Sequence, residues 1–132
     1  MSPETMSNSA LKITPDQKLS LIKQEFNKQF PYLKLEFFRH RHKMHGGSTK
    51  QDILESDATP AQLHRKAASQ FIEVTGEMKV ATLEEQFYTV FGISAQVFRK
   101  SGRSWLETTI TDDWTLNRQN DEGCELSTFT KS

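Results

Sequence analysis

Three histidines lie close together at His40, His42 and His45. On a strand, His40 and His42 project from the same face, which suits paired imidazole ligands of zinc, copper or nickel, and His45 would add a third ligand after the turn. Arginine and lysine alternate with these histidines, and nearby cations disfavour the binding of another positive charge. The sequence therefore offers a metal-site hypothesis, with a solvated basic strand end as the alternative interpretation.

Adjacent acidic residues near the C-terminus are the second candidates for chemistry, at Asp112-Asp113 and Asp121-Glu122, with Glu125 close by. Paired carboxylates can hold Mg²⁺ or act as acid and base. Adjacent side chains seldom converge on one point, however, and aspartates near turns commonly accept hydrogen bonds from backbone amides. No nucleotide-binding or hydrolase motif occurs, and nothing indicates a cofactor. These observations favour a protein that is not an enzyme.

Aromatic and basic residues at alternate positions form the third candidate: Phe98, Lys100, Arg103 and Trp105. Alternate residues of a strand share one face. Phe38, from an earlier predicted strand, joins this face if that strand pairs with its Phe38 on the Phe98/Trp105 side, and Lys34 and His40 would then border the rings. Aromatic rings edged by cations are typical of surfaces that bind protein partners or single-stranded nucleic acid. A helix packed on that face would instead make the same rings part of the core.

The elements that position these residues are predicted most clearly between Ala81 and Ile110. Thr82 and Glu85 have capping-box spacing for a helix over 82–91, and Gly92 follows as a helix stop. Alternating residues on either side of Ser101-Gly102 predict a hairpin with a two-residue loop. That loop would set the register, with these residues in opposition: Lys100 and Arg103, Phe98 and Trp105, Val97 and Leu106, Ala95 and Thr108.

Weaker patterns predict the remaining elements. Thr14 and Thr59, each followed by proline, predict helix starts, and the first helix ends before Pro31. The apolar stripe predicted for the first helix consists of Leu19, Ile22 and Phe26. Strands are predicted over 32–42 and near Phe71 to Val74. One face of the first of these strands is predicted to be apolar, with Leu33, Leu35 and Phe37. The order of elements indicates an α+β domain with a single, mainly antiparallel sheet of about four strands and two to three helices.

Part of this order resembles a ubiquitin-like β-grasp fold. The resemblance is carried by the helix with Leu83 and Phe87, the hairpin from Val97 to Leu106, and the Asp113-Trp114-Thr115-Leu116 segment leading to Asn120 and Gly123. It covers less than half of the chain, and the opening hairpin usual in that fold is not evident. The resemblance implies a fold and no function.

Composition sets the broad class of protein. The chain has 132 residues with equal numbers of basic and acidic side chains, so the net charge favours no particular partner. Residues 1–12 are predicted to be a disordered arm, 13–126 one domain and 127–132 a flexible tail. Cys124 is the only cysteine, and no signal peptide or apolar membrane segment is apparent. We therefore expect a soluble, cytoplasmic protein.

The function predicted from these features is macromolecule binding. The leading hypothesis is a protein-interaction domain, with a protein partner or self-association, that uses the sheet face of Phe38, Phe98, Lys100, Arg103 and Trp105. Single-stranded nucleic acid on the same face and a metal site at His40, His42 and His45 are the alternatives.

Overall fold

A computed structural model describes residues 10–38, 53–54, 57–64 and 70–129. Its elements in chain order are β1 Leu11–Ile13, α1 Leu19–Gln29, β2 Leu33–Phe38, α2 Pro60–Leu63, β3 Ile72–Val74, α3 Val80–Gln86, β4 Ser94–Ser101, β5 Ser104–Glu107 and α4 Leu116–Phe129. α3 continues into a π-helical turn, Phe87–Phe91, which ends at Gly92 in the left-handed conformation (φ 70°). The predicted glycine stop is therefore confirmed.

The strands form two antiparallel sheets, one of β1 and β3 and one of β2, β4 and β5 in that order. The α+β class with antiparallel pairing is confirmed, whereas the prediction of one sheet was wrong. β1 pairs with β3 through Leu11 opposite Val74 and Ile13 opposite Ile72. Three residues are too short to show an alternating pattern, so the sequence predicts no strand at β1 and places Leu11 and Lys12 in the N-terminal arm.

β1 pairs with β3, which lies far along the chain, and α1 separates β1 from β2. The described residues therefore contain no opening hairpin of the kind that the β-grasp resemblance implies. At the other end of the chain, α4 extends from Leu116 to Phe129. Its buried Leu116 and Gln119 attach this helix to the domain.

One face of the three-stranded sheet is covered by helices. Its residues Leu33, Leu35, Phe37, Ala95 and Val97 are buried in one hydrophobic cluster that also includes residues from α1, α3 and α4. The stripe predicted for the first helix is confirmed, since Leu19, Ile22 and Phe26 are its buried residues. The opposite face, here called the second face, carries Lys34, Glu36, Phe38, Gln96, Phe98, Lys100, Trp105 and Glu107.

The hairpin has a register different from the predicted one. Its loop is Gly102-Arg103, and the observed pairs are Ser101 with Ser104, Lys100 with Trp105, Arg99 with Leu106 and Phe98 with Glu107. Gly102 has a φ of 61° in the first loop position, where type II′ turns place glycine. The pairing moves by two residues, so the residues that remain in the strands keep their predicted faces. Arg103, which was predicted to lie on the sheet face with Trp105, lies instead in the loop.

Two of the three predicted threonine caps are wrong. α3 begins at Val80, two residues before Thr82, and has no side-chain cap. Its first amides instead donate to backbone oxygens of the 108–115 segment: Val80 N to Trp114 O (3.0 Å) and Ala81 N to Asp112 O (2.7 Å). Thr14 starts only a turn, and α1 begins at Leu19. The capping box of Thr59 with Gln62 is confirmed.

Gly123 allows α4 to approach the sheet closely. A Cβ atom at this position would lie 2.9 Å from Tyr32 Cβ and 3.1 Å from the Tyr32 backbone oxygen. We expect Gly123→Ala to lower the free energy of unfolding by about 1–3 kcal/mol because overpacking outweighs the higher helix propensity of alanine. Urea unfolding measures the effect, with Asp121→Ala on the exposed side of α4 as the control. An increase in stability for Gly123→Ala would contradict the close approach.

Candidate binding surface

Four residues from three neighbouring strands meet on the second face. Lys34 of β2 lies opposite Phe98 of β4, and Lys100 of β4 lies opposite Trp105 of β5. Directly opposed residues share one face of a sheet. We call these four residues, Lys34, Phe98, Lys100 and Trp105, the cation–aromatic patch.

The patch is held together by contacts between lysines and rings. Lys34 Nζ lies 5.5 Å from the centroid of the Phe98 ring and 5.1 Å from that of the Trp105 ring. Lys100 Nζ lies 5.6 Å from the Trp105 centroid. These distances are within the range in which an ammonium group is attracted to the electron-rich face of a ring. Both rings are half-buried and neither belongs to the core cluster.

Acidic residues border the patch and reduce its charge. Glu36 is half-buried and contacts Lys34 (Nζ to Oε2, 3.7 Å) and Lys23 of α1 (Nζ to Oε1, 3.1 Å). Glu107 is exposed opposite Phe98 at the end of β5. Arg103 is also exposed, in the hairpin loop. The surface is therefore only moderately basic, with ammonium groups located at the rings.

Phe38 lies on the same side of the sheet as the patch but not within it. β2 and β4 are antiparallel, so Phe38 pairs with Ser94 at the opposite end from Phe98. Phe38 lies four positions along β2 from Lys34, and at the rise of an extended strand this corresponds to about 13 Å. Phe38 is also only 2% exposed. The three aromatic residues thus share a side of the sheet without forming one accessible surface.

The other candidates from the sequence do not form a site in the described residues. His40, His42 and His45 lie outside the residues that the structure describes. Among the residues that it does describe, no group of three histidine, cysteine or acidic side chains is arranged to hold a metal ion. Asp112 and Asp113 lie in a turn, and Asp121, Glu122 and Glu125 lie on α4.

The structure also contains a carboxyl group that sequence analysis missed. Glu84 of α3 lies where β5 leaves β4, and its Oε2 accepts a hydrogen bond from Val97 N (3.0 Å). The pKa of Glu84 is raised to about 8, mainly by burial and to a smaller extent by the nearby carboxylates of Asp112 and Glu107, against the Val97 hydrogen bond, which lowers it. Its only sequence context is a run of polar residues on a helix, so no local signal marked it. Glu84 completes the hydrogen bonding of the sheet edge.

A second missed cluster surrounds Trp114. The Arg118 guanidinium carbon lies 3.8 Å from the centroid of the Trp114 ring, and that of Arg99 lies 5.8 Å away. Arg99 Nη1 also donates to Gln119 Oε1 (2.9 Å). The cluster joins α4 to the 108–115 segment and the sheet, and we interpret it as structural.

Comparison of the chain with models of known protein families, with characterised proteins and with solved structures found no match. None of the helices in the described part of the chain has the length and apolar character needed to cross a bilayer.

Proposed function

We propose that this chain is a protein-binding domain, and that its cation–aromatic patch docks a partner segment that carries carboxylates beside an apolar residue. The observation that carries the proposal is the position of Lys34, whose ammonium group lies near both half-buried rings. Interfaces use such aromatic residues as anchors and place charged groups around them. The helices of the core cluster pack on the opposite face of the sheet, and both rings remain partly exposed on this one.

The placement of the lysines favours a carboxylate-bearing protein over nucleic acid. Lys34 and Lys100 already lie close to the rings, so a stacking base would have to displace an ammonium group. A carboxylate can bind the same ammonium groups while an apolar side chain contacts the ring edges. Glu36 and Glu107 beside the patch would repel a continuous row of phosphates more strongly than a single carboxylate bound at the lysines.

Replacement of Trp105 tests the proposal. Peptides selected from a random display library on the immobilised wild-type protein are expected to be enriched in acidic residues next to apolar ones. Trp105→Ala should weaken their binding about 30-fold, the effect of removing an interface anchor worth about 2 kcal/mol. The variant should keep the wild-type circular dichroism spectrum, because the ring lies outside the core cluster.

Phe71→Ala provides a matched control. Phe71 is 51% exposed and also has a lysine over its ring, with Lys12 Nζ 4.4 Å from the centroid, but it precedes β3 in the other sheet. Peptide affinity should not change in this variant. Unfolding of Trp105→Ala, or selected peptides that bind Trp105→Ala as tightly as wild type, would contradict the proposal.

Single-stranded nucleic acid is the second candidate, because two half-buried rings lie beside two lysines on one sheet face. Trp114→Phe leaves Trp105 as the only tryptophan. Oligonucleotide binding at the patch should then quench its fluorescence, and the quenching should weaken as salt is added. Unchanged fluorescence at low salt would eliminate this candidate.

A further inference from the structure

β5 leaves one backbone edge of the three-stranded sheet unpaired in the described residues. It is the outer strand, next to β4 only. Thr108 N donates to Val97 O (3.3 Å), and Leu106 lies opposite Arg99. Because backbone groups alternate in direction along an antiparallel strand, the amide and carbonyl groups of Trp105 and Glu107 point away from β4. No described backbone group bonds to them.

The residues along this edge are complementary to themselves. The segment from Arg103 to Glu107 reads Arg-Ser-Trp-Leu-Glu, with opposite charges at equal distances from the central Trp105. In an antiparallel pair of two β5 strands centred on Trp105, Glu107 of each copy lies next to Arg103 in the hairpin loop of the other. Both charged residues are exposed. This register also uses the outward backbone groups, since Trp105 and Glu107 are the residues whose amides point outward.

Exposed apolar side chains accompany the same edge. Leu106 is 44% exposed on the face opposite Trp105, and Ile110 just beyond the strand is 91% exposed. In the register centred on Trp105, the two Leu106 side chains become diagonal neighbours across the symmetry axis. Their contact removes apolar surface from water, which favours pairing.

We infer that two copies of this chain associate through β5, in antiparallel register centred on Trp105, and form a continuous six-stranded sheet. Short edge strands with charged residues usually resist pairing. Here this register brings the opposite charges of Arg103 and Glu107 together across the two copies. A shift by two residues would separate them, and both ion pairs would be lost. The inference goes beyond the proposed function because it uses the strand edge, and it would hold even if the patch bound no peptide.

Charge reversal tests both the association and its register. Sedimentation velocity of the 132-residue chain over about a hundred-fold range of concentration should show a monomer–dimer equilibrium. Arg103→Glu and Glu107→Arg should each weaken the dimer at least about tenfold, because each places like charges opposite one another at two symmetric positions. The double variant Arg103→Glu/Glu107→Arg should restore the wild-type dissociation constant. Glu73→Arg, an exposed glutamate on β3 of the other sheet, should leave it unchanged.

Two results would overturn the inference. One is a monomer at every concentration, and the other is a dimer that the single reversals do not weaken or the double variant does not restore. Circular dichroism of each variant excludes unfolding as the cause of a lost dimer. The peptides selected on the wild-type protein can also be tested on the monomeric Glu107→Arg variant. If they still bind, loss of the dimer does not contradict the proposed peptide binding, and the two hypotheses can fail separately.

Discussion

Replacement of Glu84 by glutamine is expected to raise the stability of the protein at pH 8 and above and to change it little at pH 4. The Glu84 side chain is partly buried against β4 and accepts a hydrogen bond from Val97 N. A glutamine oxygen can accept the same bond without a charge.

The pH dependence follows from the direction of the pKa shift. Burial raises the pKa of Glu84 to about 8 from an ordinary value of 4.5. Below pH 4.5 the carboxyl is protonated in both the folded and unfolded states, and its stabilisation is fully present. As the pH rises toward 8, the unfolded chain ionises first, so the free energy of unfolding falls. We expect this loss to total roughly 2–4 kcal/mol, less than the full shift implies because the side chain is partly exposed.

Urea unfolding of both proteins from pH 4 to pH 9 measures this effect. The difference in free energy of unfolding between Glu84→Gln and wild type should grow from near zero to its full value across the interval from pH 4.5 to 8. Glu77→Gln, at an exposed carboxylate in the turn after β3, should follow the wild-type curve at every pH. Parallel curves for Glu84→Gln and wild type would mean that Glu84 is ionised in the folded protein at neutral pH.

The features that could be predicted from sequence are those that depend on local alternation. Leu33, Leu35 and Phe37 alternate with polar residues, and this pattern placed them correctly on the buried face of β2. The faces of the hairpin were also predicted correctly although its register was not. The turn moved by one residue at Gly102, which moved the pairing by two and left the side-chain parity unchanged.

The helix starts show why local capping patterns were insufficient. The first amides of α3 are bonded by Asp112 and Trp114, about thirty residues away in the chain. No pattern around Thr82 can report such a distant partner, so the capping box at Thr82 was a reasonable but wrong prediction. The Thr59 box formed as predicted because both of its partners are local.

The same difference between local patterns and long-range pairing applies to the candidate site. The grouping of Phe98 with Trp105 followed from alternation within one hairpin. The contacts of Lys34 with both rings depend on which strand lies next to β4, and the burial of Phe38 depends on its distance from the patch along β2. The role of Glu84 depends on where β5 leaves β4. These are properties of long-range pairing, which has no local signature in the sequence.

Gln119→Leu is expected to lower the free energy of unfolding by about 2–4 kcal/mol, because it leaves charged and polar groups without partners. Gln119 of α4 is fully buried. Its side-chain oxygen accepts a hydrogen bond from Arg99 Nη1 (2.9 Å), and its amide nitrogen donates to the backbone oxygen and the hydroxyl of Thr111 (both 2.8 Å). The side chain thus connects the sheet, the 108–115 segment and α4.

Leucine has nearly the volume of glutamine and does not weaken the helix, so the loss would report the hydrogen bonds rather than a cavity. Urea unfolding of the Gln119→Leu variant and of wild type measures this loss of free energy of unfolding. Asp121→Leu places the same residue at an exposed position of α4 and should change stability by less than about 0.5 kcal/mol. Equal effects of the two substitutions would mean that the Gln119 network adds no net stability. Because the 108–115 segment also bonds the first amides of α3, the Gln119 network links the C-terminal helix to the start of α3.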